Sequence, residues 1–263
     1  MILKNKNSIV YGAAGGIGSG VARAFAREGA RVFLAGRTLA TLEALAGEIR
    51  ADGGQAEAAA VDVLDEQVVD QHARRVAEQA GSLDISFNLI RRGDVQGIPL
   101  VEMSSDDLTR AVVTGLKGQF HTARAAARAM TKQGSGVILM LTSGTASAAV
   151  PMMGSTSAAD AAMEALMRGL AAELGPQGVR VVGMWTAAVA ETLTPEKIAA
   201  VNENMQMDEE GIRQMLQGVA QMTILRRAPA LAQVADTAAF LASDWAGGIT
   251  GSIVNVTCGM VTN

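Results

Sequence analysis

The chain has 263 residues, 49% of them hydrophobic but only 3% aromatic, and a net charge of −4. That length supports one large core of small and aliphatic side chains, and the mixed, weakly acidic charge argues against a nucleic-acid partner. A single cysteine, Cys258, excludes an internal disulfide framework, and with two scattered histidines it argues against a metal site. No run nears the roughly 20 apolar residues of a membrane span, and Met1 to Asn7 lacks a signal-peptide core, so a cytoplasmic protein without membrane partners is expected.

Strand-like and helix-like segments alternate from end to end. Ser8 to Tyr11 reads as a short apolar strand that ends in glycines, followed by a helix over Ile17 to Glu28. Arg31 to Ala35 is the next strand and Thr38 to Arg50 the next helix. Further apolar strands fall at Ala56–Val61, Leu83–Leu89, Val137–Thr142, Val179–Met184 and Ile253–Val256. Helices run between them, including Asp106 to Lys132 and Ser157 to Leu174. Continuous apolar strands separated by helices imply a parallel sheet covered on both faces. The expected fold is α/β: a doubly wound parallel sheet of about seven strands, Rossmann-type, in one domain over residues 1–263. The longest irregular stretch, about Thr186 to Leu225, carries Met205, Met207, Met215 and Met222. In this architecture it is a substrate or lid segment beyond the carboxyl ends of the strands.

Gly12, Gly16 and Gly18, with Ile17 among them, lie between the first strand and the first helix. There the chain must turn tightly and let a pyrophosphate approach the backbone, while the helix N-terminus offers free N–H groups. The second strand ends in Gly36-Arg37-Thr38, with no carboxylate to grip a ribose 2′-hydroxyl. Arg37 and Thr38 suit a 2′-phosphate instead, which favours NADP(H) and leaves NAD(H) as the other candidate.

The spacing Gly12-x-x-x-Gly16-x-Gly18 resembles that of the short-chain dehydrogenase/reductase family, and the resemblance covers nearly the whole chain. Asp62-Val63 resembles the family's adenine-binding pair, and Leu116 to Phe120 with Arg124 to Ala126 its fourth-helix segment. Leu170 to Pro176, Gly178 to Val181, Phe240 to Asp244 and Ile249 to Gly251 resemble its later segments. The resemblance implies a nucleotide cofactor, a small-molecule substrate and a homodimer or homotetramer. It also implies four catalytic positions, of which Ser143 alone is kept. The tyrosine position falls on Thr156, the lysine on Asp160 and the asparagine on Gly115. Asn88 remains from the stretch after the fourth strand, and Thr192 matches the threonine that holds the nicotinamide amide.

A threonine hydroxyl is a far poorer acid than a phenol, and a carboxylate beside it makes proton donation harder. Ser143, Thr156 and Asp160 therefore mark a catalytic site without the usual acid–base pair. Asp160 retains the ability to accept from ribose hydroxyls. Arg91 and Arg92, after the fourth strand, are candidates for an anionic substrate, and Met153 and Trp185 for an apolar pocket wall. Tyr11 reads as core, His72 as a surface residue of the third helix, and His121 as a packed or interface histidine. Three readings stay open: an atypical NADP(H)-dependent oxidoreductase, a silent nucleotide-binding relative, and a lyase or isomerase.

Overall fold

The computed structural model describes residues 1–148, 150–202, 205 and 207–262. Seven parallel strands form one sheet in the order β3-β2-β1-β4-β5-β6-β7. They are β1 (Asn7–Tyr11), β2 (Arg31–Gly36), β3 (Gln55–Ala60), β4 (Ile85–Asn88), β5 (Gly136–Thr142), β6 (Val179–Thr186) and β7 (Ile253–Val256). The chain runs outward from β1 to β3, returns to β4 on the other side of β1, and runs outward again. That reversal leaves a crevice above the carboxyl ends of β1 and β4, where Tyr11 lies beside both Ala35 and Asn88.

Helices α1 (Gly16–Arg27), α2 (Leu39–Ala51) and α8 (Leu231–Ala242) cover one face, and α3 (Glu66–Ala80), α4 (Ser105–Gln133) and α5 (Ser155–Leu174) the other. Each face has its own core. Val10 joins Phe25, Leu42 and Val234 on the first, whereas Ile9 and Tyr11 join Val76, Met130 and Met167 on the second. The strand period of two sends neighbouring residues into opposite layers. Alanines and glycines dominate the buried face of α4, and α5 meets it with methionines and small residues, without aromatics.

Helix ends follow their local chemistry. Asp65 caps α3 by accepting from the Gln67 and Val68 amides, and Ser104 caps α4 through Asp107 N–H. The segment over 186–225 is less irregular than its sequence suggests. It holds a 3-10 turn at Ala190–Thr192, α6 (Pro195–Ala199) and α7 (Glu209–Met222), with residues 203, 204 and 206 outside the described residues. Thr194 and Asp208 cap these two helices.

His72 also departs from its expected surface place. It is 7% exposed, with Val69, Ala73 and Val76 on the buried face of α3. The ring of Tyr11 meets it edge-on at 6.3 Å. Burial, then the nearby Arg75 charge, pushes the His72 pKa down to about 4. Among the described residues neither the Tyr11 hydroxyl nor His72 Nε2 has a hydrogen-bond partner. Tyr11 is fully buried in the core, as its sequence position suggests. Among the described residues no helix is long and apolar enough to cross a membrane, and no three His, Cys, Asp or Glu side chains are grouped to hold a metal.

Candidate active and cofactor site

The turn after β1 is shaped by close backbone approach. Gly12 adopts φ +72°, and a β-carbon there would lie 2.6 Å from the Leu89 carbonyl oxygen. A β-carbon at Gly18 would collide with the Gly12 carbonyl oxygen. Only glycine lets the strand turn and the first turn of α1 pass at this distance. A groove of ≈ 230 Å³ runs from Gly12 to the end of β2, past Arg37, Thr38, Asp62 and Val63. It shares Gly15, Leu89, Ile90 and Arg91 with a second cleft of ≈ 390 Å³, which reaches Asn88, Ser143 and Thr192. The two make one continuous trough across the carboxyl ends of the strands. A cradle that any β-carbon would fill, at the helix N-terminus and the reversal of strand order, fits an extended dinucleotide.

Several expected cofactor residues lie along this trough. Gly16, Ile17 and Gly18 line its wider end. Arg37 and Thr38 are exposed beyond β2. Asp62 accepts from the Leu64 amide at 3.0 Å, which shapes the loop after β3. Asn88 is buried, donating to Thr122 Oγ1 at 3.1 Å and accepting from the Ile90 amide at 3.2 Å. It thereby fixes the chain as it leaves β4. Thr192 donates to the Val189 carbonyl at 2.9 Å.

The residues at the expected catalytic positions are tied to one another and to the loop after β4. Asp160 is fully buried on α5, and both its oxygens are bound by protein groups. Arg92 Nη1 pairs with one oxygen at 2.7 Å. Ser143 donates to the other through its amide at 2.8 Å and its hydroxyl at 2.5 Å, with Thr145 Oγ1 at 3.3 Å. The acceptor capacity that the sequence left for ribose hydroxyls is taken up by these groups. The other fork of Arg92 pairs with Asp94 at 2.6 Å, so one guanidinium serves two carboxylates. Burial opposes the Arg92 charge, but Asp94 and then Asp160 outweigh it and hold its pKa above the ordinary value.

Gly115 explains why Arg92 fits there. A β-carbon at Gly115 would stand 2.7 Å from Arg92 Cδ. The missing side chain at the asparagine position is the space through which Arg92 reaches α5. Thr156 is 3% exposed and accepts from Gln96 Nε2 at 2.9 Å, which turns its hydroxyl toward the 90–97 loop. Trp185 is buried, donating to Glu164 Oε1 at 2.8 Å, with Thr142 donating to the same oxygen at 3.0 Å. Neither Trp185 nor Met153 lines the cleft. Its apolar wall comes from Leu89, Ile90, Leu141, Met163, Leu193 and Val201. Arg91 points elsewhere than Arg92: it is exposed and lines both ends of the trough. His121 is packed, its Nδ1 2.9 Å from the Val63 carbonyl oxygen.

Sequence reasoning missed Asp94, Gln96, Thr145 and Lys197. Asp94 had a visible signal, since Arg92-Gly93-Asp94 places opposite charges around a glycine turn. Gln96 is joined to the site through a contact distant in sequence, while Thr145 and Lys197 lie within five residues of Ser143 and Thr192 in stretches without a motif of their own.

The description of the family model that matches residues 12–261 is Enoyl-(Acyl carrier protein) reductase. The chain is 31% identical over 260 residues to the uncharacterized oxidoreductase YxbG of Bacillus subtilis, covering 98% of this chain and 92% of that one. It is likewise 31% identical to the 7alpha-hydroxysteroid dehydrogenase of Escherichia coli K12, over 98% and 95% of the two chains. Among solved structures, a short-chain type dehydrogenase/reductase from Mycobacterium ulcerans superposes with a TM-score of 0.86 at 27% identity, covering 99% of this chain and 91% of that one.

Proposed function

This chain belongs to the short-chain dehydrogenase/reductase family, and on that premise we propose an NADP(H)-dependent oxidoreductase that works without the tyrosine–lysine pair. The observation that carries the reading is the state of Asp160: fully buried, paired to Arg92 and holding the Ser143 hydroxyl proton. When bound, the nicotinamide supplies a hydride. Arg37 and Thr38 support NADP(H) over NAD(H), because they line the groove at the end of β2, where the chain carries no carboxylate to grip a ribose 2′-hydroxyl.

The substrate follows from what the site can and cannot donate. Ser143 donates its hydroxyl hydrogen to Asp160 and lies 3.0 Å from Thr145 Oγ1, which leaves its oxygen one lone pair with which to accept at the cleft. Thr156 is turned away, and Arg92 is already shared between two carboxylates. A ketone leaves an oxyanion that needs a donor and an acid. An iminium brings its own proton, donates its N–H to an acceptor such as Ser143 Oγ, and becomes a neutral amine on gaining the hydride. An activated carbon–carbon double bond, protonated by water after hydride addition, is the next candidate, and the description of the matching family model points the same way. The apolar wall suits a small hydrophobic body. A cytoplasmic homodimer or homotetramer through α4 and α5 completes the reading, supported by exposed Val113, Leu116 and Phe120 on α4.

A second reading, a silent nucleotide-binding relative, is favoured by Arg92 filling the space beside Gly115. Calorimetric titration with NADPH and NADH, then a turnover panel of cyclic imines, enones and ketones, separates them. NADPH binding tighter than NADH, with turnover of imines and none of ketones, is expected. Binding with no turnover favours the silent relative, and no binding of either nucleotide overturns both readings.

A further inference from the structure

A cation reaches over the glycine turn from the lid. Lys197, on α6, lines the same cleft as Gly15, Gly16, Ile17 and Gly18. Its Nζ stands 3.2 Å from the point a Gly16 β-carbon would occupy. Its hydrogen-bond partner is neutral, the Thr192 carbonyl oxygen at 2.8 Å. Among the described residues no carboxylate lies within 4.0 Å of it to form an ion pair. An ammonium has three protons to donate, and one carbonyl leaves it with spare donors and an uncompensated charge at the cleft wall. Among the described residues Arg91 also has no carboxylate within 4.0 Å, and it lines both ends of the trough.

We propose that Lys197 is a lid-borne diphosphate clamp: it closes over the glycine turn and grips the pyrophosphate from the side opposite the α1 N-terminus, with Arg91 flanking it. The proposal rests on the nucleotide reading above and adds a residue and a geometry to it. The cradle of backbone N–H groups binds one side of a diphosphate, and Lys197 covers the other. Thr192 holds the ammonium in place through its carbonyl oxygen, while its Cβ would meet a Gly16 β-carbon at 2.7 Å. The lid and the turn are therefore packed to the tolerance of a glycine. The packed lid and diphosphate binding then favour each other, because the ligand supplies an anion for an ammonium held at the turn by the Thr192 carbonyl.

The test uses the full-length protein and calorimetry with three probes. NADPH and 2′-phospho-ADP-ribose contain the diphosphate; adenosine 2′-monophosphate does not. Lys197→Met should weaken the first two about tenfold, the scale of one charge-assisted hydrogen bond, and leave the third within about twofold. Lys197→Arg should restore binding of the first two to within about threefold of the parent, since the charge is kept. The tenfold difference should shrink in 1 M salt, where charges are screened within roughly 3 Å. A thermal melt of each variant checks the fold. Equal losses for all three probes, or no loss for any, overturn the clamp while the parent still binds NADPH. If the parent binds none of the three, the nucleotide reading falls and the clamp with it.

Discussion

Arg92 and Asp160 are distant in sequence and joined by one ion pair through the space that Gly115 leaves empty. This dependence governs what substitution can achieve. Thr156→Tyr with Asp160→Lys would place an ammonium against the Arg92 guanidinium and leave that guanidinium with Asp94 as the remaining one of its two carboxylates. Breaking a buried pair in this way costs about 3–5 kcal/mol, and the double variant should melt well below the parent without gaining ketone reduction. Adding Arg92→Gly and Gly115→Asn removes the guanidinium first and then fills its space. NADPH consumption with a panel of ketones should rise only in this fourfold variant. Activity in the double variant with an undisturbed melt would show that the pair does not hold the site together.

At the level of elements, the same change should act with opposite signs at two glycines. Gly18 stands where a β-carbon meets the Gly12 carbonyl, so Gly18→Ala displaces the start of α1 and should abolish nucleotide binding by calorimetry. Gly218 is exposed within α7 with nothing within 4 Å of its missing β-carbon. Gly218→Ala should stabilise by about 0.5–1 kcal/mol in urea denaturation, because glycine loses more conformational freedom in a helix than alanine. A loss of stability there would mean that α7 packs against something further. Much of this layer of structure is legible in the chain. The central strands β1, β5 and β6 read directly because parallel strands are buried on both faces and appear as largely apolar runs, whereas edge strand β3 exposes Gln55 and Glu57. The glycine turn reads because all its requirements are local. The lid did not read as helical, although Thr194-Pro195-Glu196 and Asp208-Glu209-Glu210 carry helix-start chemistry, because its scattered methionines mask the period. The Arg92–Asp160 pair could not be read at all, since no local pattern joins residues on β4's exit loop and α5. His72 was misplaced by its polarity, whereas the spacing 69, 72, 73, 76 marks the buried face of a helix.

For the molecule as a whole, His72 sets an acid limit. Its folded pKa of about 4 lies below the ordinary 6.5. The unfolded chain therefore takes up a proton first as pH falls. The contribution is complete above about 6.5, declines between 6.5 and 4, and is lost below. It amounts to at most roughly 3 kcal/mol. Urea denaturation across pH 4 to 7 should show this slope, and His72→Leu should flatten it without losing a hydrogen bond at Nε2, which has none. An unchanged slope in the variant would assign the acid limit to other groups.

The placement of the two tryptophans has a practical consequence. Trp245 is 76% exposed, whereas Trp185 is buried against Glu164 and Gly144, one residue from Ser143. Replacing the exposed indole with phenylalanine leaves a single tryptophan, Trp185, near Ser143. The protein thus carries its own optical gauge, in which quenching or energy transfer to a reduced nicotinamide reads occupancy without any added dye.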